Sequence, residues 1–296
     1  MINTVTVIIR SIGERTENLC YKYVLREVSK ENVFLINERP FREAVIKGFR
    51  IGLNRGTKWT LAIDADIILK ENAISEMIAK FETLSEKYFL YQGCVFDKFY
   101  NNFRSGGPHL YRTELLKELI NFVPEDGESL RPESDSFYGL INKGYHYYND
   151  NKLFGLHDFE QSYFDIYRKF FLHAKKHKSS IPVFLNKFKK KITLDNDYQI
   201  ANRGISDGLL YKNKLFVDVD FFKEKYKTFS VLQLVEKSTL IDEKKIITFF
   251  LKINISSLKS MPIRDSSKKK RKQSLTTRLV KRFIMKIYNK SEEYLY

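Results

Sequence analysis

Apolar and polar residues follow two periodicities in the first part of the chain. Continuous apolar runs at Thr4–Ile9, Val33–Ile36 and Trp59–Ile63 are typical of buried strands. Between them, apolar or small residues recur at helical spacing and predict two helices, the second opened by Pro40. The recurring positions are Cys20, Val24 and Val28 in the first helix and Ala44, Gly48 and Gly52 in the second. The small residues of the second helix predict that it lies close to a sheet.

The same alternation continues for one more helix and one more strand. A helix is predicted from about Asn72, with Ile74, Met77, Ile78 and Phe81 on one face, and Tyr88–Phe96 has strand character. Strands that alternate with helices in this way predict an α/β fold with a mostly parallel central sheet. In such sheets, ligands bind at the carboxyl ends of the strands.

The pattern changes after Tyr88–Phe96. Residues Asn101–Lys152 are rich in Gly, Pro, Glu and Asp and are predicted to be loops around one helix, Thr113–Ile120. A long amphipathic helix follows His157, and short helical stretches dominate after residue 180. We therefore expect an α/β domain over residues 1–178, a helical C-terminal extension over 179–267 and a basic amphipathic tail over 268–296.

The charge of the chain adds a class of partner to this outline. The 296 residues carry a net charge of +16, which favours anionic partners such as nucleic acid, an anionic membrane surface or phosphate-bearing substrates. A biased genome also explains the abundance of Lys. Half of the net charge lies in residues 268–296, where Leu275–Lys290 predicts a basic amphipathic helix. An anionic membrane surface, a protein partner and a loosely ordered tail are alternatives for this segment.

The cysteine content and the longest apolar runs indicate the compartment. Cys20 and Cys94 have neither a zinc-binding spacing nor the number needed for a disulfide framework, which fits a reducing cytoplasm. The N-terminus lacks the layout of a signal peptide. Ile246–Leu251 is far shorter than the roughly 20 residues that a membrane span needs. We expect a cytoplasmic protein, peripheral on the inner face of the membrane if the tail binds lipid.

Two carboxylates follow the third predicted strand and are the main candidates for chemistry. Asp64 and Asp66 are two positions apart, so in an extended strand they point to the same side. Paired carboxylates suit Mg²⁺ or Mn²⁺, which bind through one or two carboxylates together with substrate phosphates. The alternative is that the two acids solvate the strand end or cap the next helix.

The segments around this pair resemble a known family. "GTKWTLAIDADIIL" and the preceding "RPFREAVIKGFRIGLNRG" resemble the nucleotide-sugar domain of GT-A fold (Rossmann-like) glycosyltransferases, particularly family 2. The resemblance covers roughly residues 3 to 175. It implies that Asp64 and Asp66 bind Mn²⁺ or Mg²⁺ and the sugar nucleotide, and that His157 supplies a third metal ligand or a diphosphate contact.

Three further segments follow the order of that family. "TVIIRSIGERT" resembles the loop that holds the base and ribose, and "SGGPHLYR" resembles the segment that lines the donor sugar and acceptor. These imply nucleotide-sugar contacts at Arg10, Ser11, Glu14, Arg15, Gly107 and His109. "RPESDSFYGLINKGYHYYN" resembles the acidic motif that supplies the catalytic base, which implies Asp135 or else Glu133. The chain departs from the family pattern here, because Ser134 separates the two acids; for these two, a polar loop that caps the next helix is the alternative.

The implied function is a metal-dependent transfer of a sugar from a nucleotide-diphosphate donor to a glycan or lipid-linked acceptor in bacterial surface-polysaccharide synthesis. A haloacid-dehalogenase-like phosphatase is an alternative, although its motif belongs on the first strand and Ile68 stands where it needs Thr or Val. A basic nucleic-acid-binding protein is another, although no recognised nucleic-acid-binding motif is present and no nucleic-acid partner is expected. An inactive relative of the glycosyltransferases is the third. A P-loop NTPase is excluded, because the chain has no GxxxxGK[ST].

Overall fold

The central sheet contains seven strands of the first compact unit of the chain. In the computed structural model they are β1 (Val5–Arg10), β2 (Val33–Ile36), β3 (Trp59–Asp64), β4 (Ile67–Leu69), β5 (Tyr88–Asp97), β6 (Asn102–Arg112) and β7 (His146–His157). Their order is β2-β1-β3-β6-β5-β7-β4. Strands β4 and β6 run opposite to the other five. The predicted α/β fold with a mostly parallel sheet is therefore confirmed.

The structure describes residues 1–217, 219–227, 235–239, 241–253 and 261–268. Its helices are α1 (Glu17–Val24), α2 (Phe41–Arg55), α3 (Ala73–Glu82), α4 (Leu116–Ile120), α5 (Pro132–Asn142), α6 (Tyr163–Lys176), α7 (Ile181–Phe188), α8 (Asn196–Leu210), α9 (Val219–Lys227) and α10 (Glu243–Lys252). Residues 1–264 form one compact unit and 265–296 a second. A two-residue strand, β8 (Arg264–Asp265), stands at their boundary.

The sheet is buried on both faces, as the continuous apolar runs predict. On one face Val5, Val7 and Ile9 of β1 pack with α1 and α3. On the other face Ile8 packs with α2, which also contacts α4 and α5 through a second cluster. Gly52 of α2 lies so close to the sheet that an added Cβ would stand 2.4 Å from Oγ1 of Thr60. The predicted close approach of α2 is thus confirmed.

A third apolar cluster joins α6 to the helices that follow it. Phe170 and Phe171 of α6 are buried against residues of α7, α8 and α9. Gly204 of α8 faces α6 so closely that an added Cβ would stand 2.6 Å from the carbonyl oxygen of Tyr167. The long helix predicted after His157 is present as α6, and the described residues that follow it include α7 to α10. Among the described helices, none has the length and apolar content to cross a membrane.

The prediction that Asn101–Lys152 is mainly loop was wrong. This stretch contains β6 and most of β7, and β4 was also not predicted. Gly106, Gly107 and Pro108 suggest a turn, yet they lie inside β6, where both glycines have positive φ. The pairing of β5 with β6 shifts register opposite this segment, which is how the sheet accommodates it. The predicted helix Leu275–Lys290 lies outside the described residues.

Candidate functional site

Polar residues of four strands meet at one edge of the sheet. Strands β1, β3, β5 and β7 run in the same direction, and their last residues are Arg10, Asp64, Asp97 and His157. The register places Arg10 beside Asp64 and Asp97 beside His157. The topology therefore assembles two charged pairs at the carboxyl ends of the strands, where ligands bind in open α/β sheets.

Asp64 is fixed by an arginine that also holds a buried glutamate. Nε of Arg10 donates to Oδ1 of Asp64 at 2.8 Å, and Nη1 of Arg10 lies 2.9 Å from Oε1 of Glu133. The side chain of Asp64 is 42% exposed, whereas those of Arg10 and Glu133 are almost fully buried. Arg10 thus leaves one edge of the Asp64 carboxylate available to a ligand.

Glu133 is an ionised structural group in this arrangement. It accepts a hydrogen bond from the hydroxyl of Tyr111 at 2.8 Å, and Nδ1 of His109 lies 3.2 Å from its Oε2. Burial alone would raise the pKa of Glu133, but Arg10 and His109 outweigh it and hold the pKa well below its usual range. Asp135, two residues further along α5, is half-buried and accepts from the hydroxyl of Ser129 at 2.5 Å.

Asp66 lies on the other side of the edge, in a group that can hold a metal ion. One ligand atom each from Asp66, His157 and Asp158 lies within 4.8 Å of the others. Nε2 of His157 is 3.4 Å from Oδ2 of Asp66, and Nδ1 is 2.6 Å from Oδ2 of Asp158. Oδ1 of Asp66 is buried without a hydrogen-bond partner in the described part of the chain. Burial and then the charge of Asp64 raise the pKa of Asp66 to about 7.

Two cations contact the group formed by Asp66, His157 and Asp158. Lys169 forms ion pairs with Asp158 and Asp97, and Nη2 of Arg104 lies 2.8 Å from Nε2 of His157. Burial, with Arg104 and Lys169 adding to it, holds the pKa of His157 well below its usual range, so the imidazole is neutral. The three acids Asp66, Asp97 and Asp158 therefore face two cations, and the group becomes net negative as Asp66 ionises near neutral pH. Two carboxylates and a neutral imidazole are a donor set that suits Mn²⁺.

Asp66 also stands where two cavities meet. The first, here called the Asp64 cavity, has a volume of about 170 Å³ and includes Arg10, Phe41 and Asp64 in its wall. The second, the His157 cavity, has a volume of about 190 Å³ and is lined by His157, Asp158 and residues of α6. Glu14, Asp66 and Arg168 line both cavities. A ligand that spans the two would pass directly over the Asp66 carboxylate.

The loop after β1 has one part that lines a cavity and another that fixes the loop to the rest of the protein. Ser11 and Glu14 line the Asp64 cavity, and the hydroxyl of Ser11 donates to Oε2 of Glu14 at 2.8 Å. Arg15 turns away and donates to the carbonyl oxygens of Glu160, Lys237 and Thr239. Its place in the structure is that of an anchor for the loop.

The structure brings most of the predicted site residues together. The Asp64 cavity is lined by Arg10, Ser11, Glu14, Asp64 and Asp66, and the adjoining His157 cavity is lined by His157. Within the described residues, the cavity walls do not include Gly107, His109, Glu133 or Asp135. Gly107 packs on Val95 inside the sheet, where an added Cβ would stand 2.6 Å from a methyl carbon of that residue.

Sequence reasoning did not identify Asp97, Asp158, Arg104 or the cations of α6. Asp97 had a usable signal, because it directly follows the predicted strand Tyr88–Phe96 and so falls at a carboxyl end. Asp158 follows His157 directly but has positive φ, which turns its side chain back toward the cluster. Arg168 and Lys169 stand on the polar side of a helix that the sequence marked only by its apolar face.

No protein-family model matches this sequence, and no curated protein sequence does either. Several solved structures are similar to the chain at low identity. The mannosyltransferase PcManGT from Pyrobaculum calidifontis, in complex with GDP-Man and Mn2+, is 11% identical over 77% of this chain and 80% of that one, with a TM-score of 0.36. A glycosyltransferase involved in the glycosylation of the major capsid of PBCV-1 is 13% identical over 45% and 74%, with a TM-score of 0.32.

A CMP:2-keto-3-deoxy-manno-octonic acid synthetase complexed with CTP is 9% identical over 52% of this chain and 88% of that chain, with a TM-score of 0.34. The solved structures similar to this chain thus include glycosyltransferases and a synthetase crystallised with a nucleotide. No functional conclusion follows from likenesses of this size.

Proposed function

We propose that the protein is a divalent-metal-dependent glycosyltransferase that uses a nucleotide-diphosphate sugar. The observation that carries this proposal is the position of Asp66 at the junction of two cavities, where one buried oxygen of its carboxyl group has no hydrogen-bond partner among the described residues. One cavity offers an aromatic wall and a fixed carboxylate to a nucleoside, and the other offers metal ligands and cations to phosphates. A nucleotide diphosphate has its groups in the same order, with a nucleoside at one end and phosphates at the other.

The roles of the residues follow from their places. Phe41 and Pro40 provide flat apolar surface for a base in the Asp64 cavity. Asp64, held by Arg10, accepts a hydrogen bond from a ribose hydroxyl. Asp66 and His157, with Asp158, would hold Mn²⁺ or Mg²⁺. The metal, when bound, neutralises the charge that develops on the departing diphosphate. Arg168 lines both cavities at the point where they meet.

The base that activates the acceptor hydroxyl is proposed to be Asp135, as the sequence motif implies. Its half-buried carboxylate is held by Ser129, whereas Glu133 is already committed to Arg10. A general base must come within hydrogen-bond reach of the hydroxyl it deprotonates. Glu133 instead maintains the orientation of Arg10 and, through it, Asp64.

The finer features of the activity are proposals from the sequence resemblance. They are membership of a family 2-like group, a glycan or lipid-linked acceptor in bacterial surface-polysaccharide synthesis, and a cytoplasmic location. Attachment to the inner face of the membrane through residues 268–296 belongs with them, because only residue 268 of that segment lies within the described residues.

The test is thermal unfolding of the purified protein with GDP, UDP or CDP, with and without Mn²⁺. A ligand at a hundredfold excess over its Kd stabilises the native state by about 2.7 kcal/mol. We expect metal-dependent stabilisation by at least one nucleotide and its loss in Asp66→Asn. Asp126→Asn, an exposed acid outside both cavities, is the matched control and should respond as the wild type does. Nucleotide stabilisation that persists in Asp66→Asn, or that ignores Mn²⁺, would contradict the proposal.

A further inference from the structure

Positive side chains continue along α6 beyond the metal group. Arg168 and Lys176 are eight residues apart on one side of this helix, about 12 Å along its axis. Arg131, the N-cap residue of α5, meets the end of α6 where its Nη2 lies 2.6 Å from Nε2 of His177. Arg131, Arg168 and Lys176 are here called the α6 cation cluster.

The charges of this cluster are largely uncompensated. The ion pair of Arg168 with Asp165 is long, at 3.7 Å, and Nε of Arg168 is buried without a hydrogen-bond partner in the described part of the chain. Lys176 is half-buried and has no hydrogen bond or ion pair to any described residue. A half-buried lysine without a partner tends to lose its proton, and an anion bound beside it would keep it charged.

His177 contacts Arg131 but does not neutralise its charge. Burial, followed by the charges of Arg131 and Lys176, lowers the pKa of His177 to about 4, so the ring is neutral and accepts from the guanidinium. The same proximity acts on Lys176, because burial and then Arg168 and Arg131 lower its pKa to about 7. Lys176 directly precedes His177, so the contact of Arg131 with His177 places these two cations at the same end of α6, and Arg168 on the same helix reaches the Asp64 cavity.

We infer that the α6 cation cluster is a second anion subsite, which binds a phosphate group carried by the acceptor. This inference rests on the proposed glycosyltransferase function and names a chemical class for its acceptor. Three cations suit a doubly charged phosphate better than a singly charged carboxylate, and arginine recognises phosphate through two parallel hydrogen bonds. Arg131 and Lys176 lie outside the walls of both cavities, and Arg131 is four residues before the candidate base Asp135. The subsite therefore extends away from the donor, toward the acceptor side.

The test uses inorganic phosphate as the probe, titrated calorimetrically into metal-free protein in EDTA at constant ionic strength. We expect phosphate to bind, acetate to bind more weakly, and Lys176→Gln to weaken phosphate by about tenfold or more, as the loss of a charged hydrogen bond predicts. Lys178→Gln removes the same charge from an exposed lysine two residues further on and should change the phosphate Kd by less than about twofold. Equal losses in the two variants would overturn the inference, as would the absence of phosphate binding to the wild type.

A second set of measurements separates this inference from the proposed function. With Mn²⁺ present, Lys176→Gln should bind the best nucleotide diphosphate as the wild type does, whereas Asp66→Asn should lose the nucleotide and keep phosphate. If Lys176→Gln weakens nucleotide and phosphate equally, Lys176 belongs to the donor site and the inference is wrong. If the wild type binds phosphate through Lys176 but no nucleotide, the proposed function fails and only the anion subsite stands.

Discussion

Arg10 is the residue through which one half of the site is organised. Its guanidinium connects the half-exposed Asp64 to the buried Glu133, and Tyr111 and His109 complete the shell around that glutamate. The sequence motif identified Glu133 as a functional residue, and its place in the structure is that of a support for Arg10. The proposed ribose contact at Asp64 therefore depends on a carboxylate that a ligand does not reach.

Replacing Glu133 with Gln should lower stability at neutral pH by about 3 kcal/mol, because it leaves a buried arginine with one charged partner fewer. The pKa of Glu133 is held below its ordinary value of 4.5, so its contribution is present above that pH and is lost as the pH falls further. The difference between variant and wild type should therefore shrink in acid. Urea unfolding at pH 7 and pH 3 measures this. Glu125→Gln, which removes an exposed partner of Arg42, should cost less than about 1 kcal/mol.

Lys169 provides a test of the metal group that does not depend on turnover. Lys169→Met leaves Asp158 and Asp97 without their lysine, so the variant should unfold more easily in EDTA, by about 3 kcal/mol. The loss of a competing cation should strengthen Mn²⁺ binding, and each 1.4 kcal/mol of repulsion removed is about tenfold in affinity. Thermal unfolding across a Mn²⁺ titration should show a larger shift than in the wild type.

The matched control for this prediction is Lys175→Met. Lys175 is on the same helix but donates to the carbonyl oxygen of Tyr211, away from the metal group. Its Mn²⁺ response should equal that of the wild type. A smaller Mn²⁺ shift in Lys169→Met than in Lys175→Met would mean that Lys169 helps to bind the ligand rather than competing with it.

At the scale of elements, what the sequence predicted depended on how distinct each apolar period was. Strands β1 and β3 and helices α2, α3 and α6 were predicted because their buried positions carry apolar or small residues at regular strand or helix spacing. Strand β6 was missed because glycines and a proline interrupt it, and β4 because it has only three residues. Strand β4 pairs with β7 and places Ile67 opposite His157, so the adjacency of Asp66 and His157 was not derivable from the local pattern. It follows from long-range pairing.

The contact of α6 with α8 has its own test. Gly204→Ala places a Cβ against the backbone of α6, 2.6 Å from the carbonyl oxygen of Tyr167, so the helices must separate. We expect a loss of about 2 kcal/mol in the free energy of unfolding, the usual cost of overpacking. Ser206→Ala, at an exposed position of the same helix, should change stability by less than about 0.5 kcal/mol. Equal effects would show that helix propensity, and not contact with α6, decides the outcome.

At the scale of the whole molecule, a late segment of the chain closes over early ones. Residues 235–239 supply Glu236, whose carboxylate accepts from the amides of Tyr163 and Phe164 at the start of α6. They also supply Lys237, whose Nζ lies 2.6 Å from Oδ1 of the buried Asp197. The first turn of the helix that carries Arg168 and Lys169 is therefore held by residues from the C-terminal region.

Lys237→Met should release this segment. The variant loses the ion pair with Asp197 and the bond to the carbonyl oxygen of Gln161, and we expect about 2 kcal/mol lower stability. Hydrogen exchange should accelerate in residues 235–239 and at the amides of the first turn of α6. Lys244→Met, at an exposed position of α10, should leave both unchanged. Unaltered exchange in Lys237→Met would mean that the segment is held by other contacts.

The anchoring of Arg15 has a consequence for how the protein is made. Two of the carbonyl oxygens that hold this side chain belong to Lys237 and Thr239, and Lys237 is 222 residues further along the chain. During synthesis, the sheet and both aspartates leave the ribosome long before these carbonyls do. A nascent chain can thus carry a folded sheet while the loop with Ser11 and Glu14 still lacks its support. Binding of the proposed donor nucleotide should accordingly mature only after residues 237–239 have been synthesised.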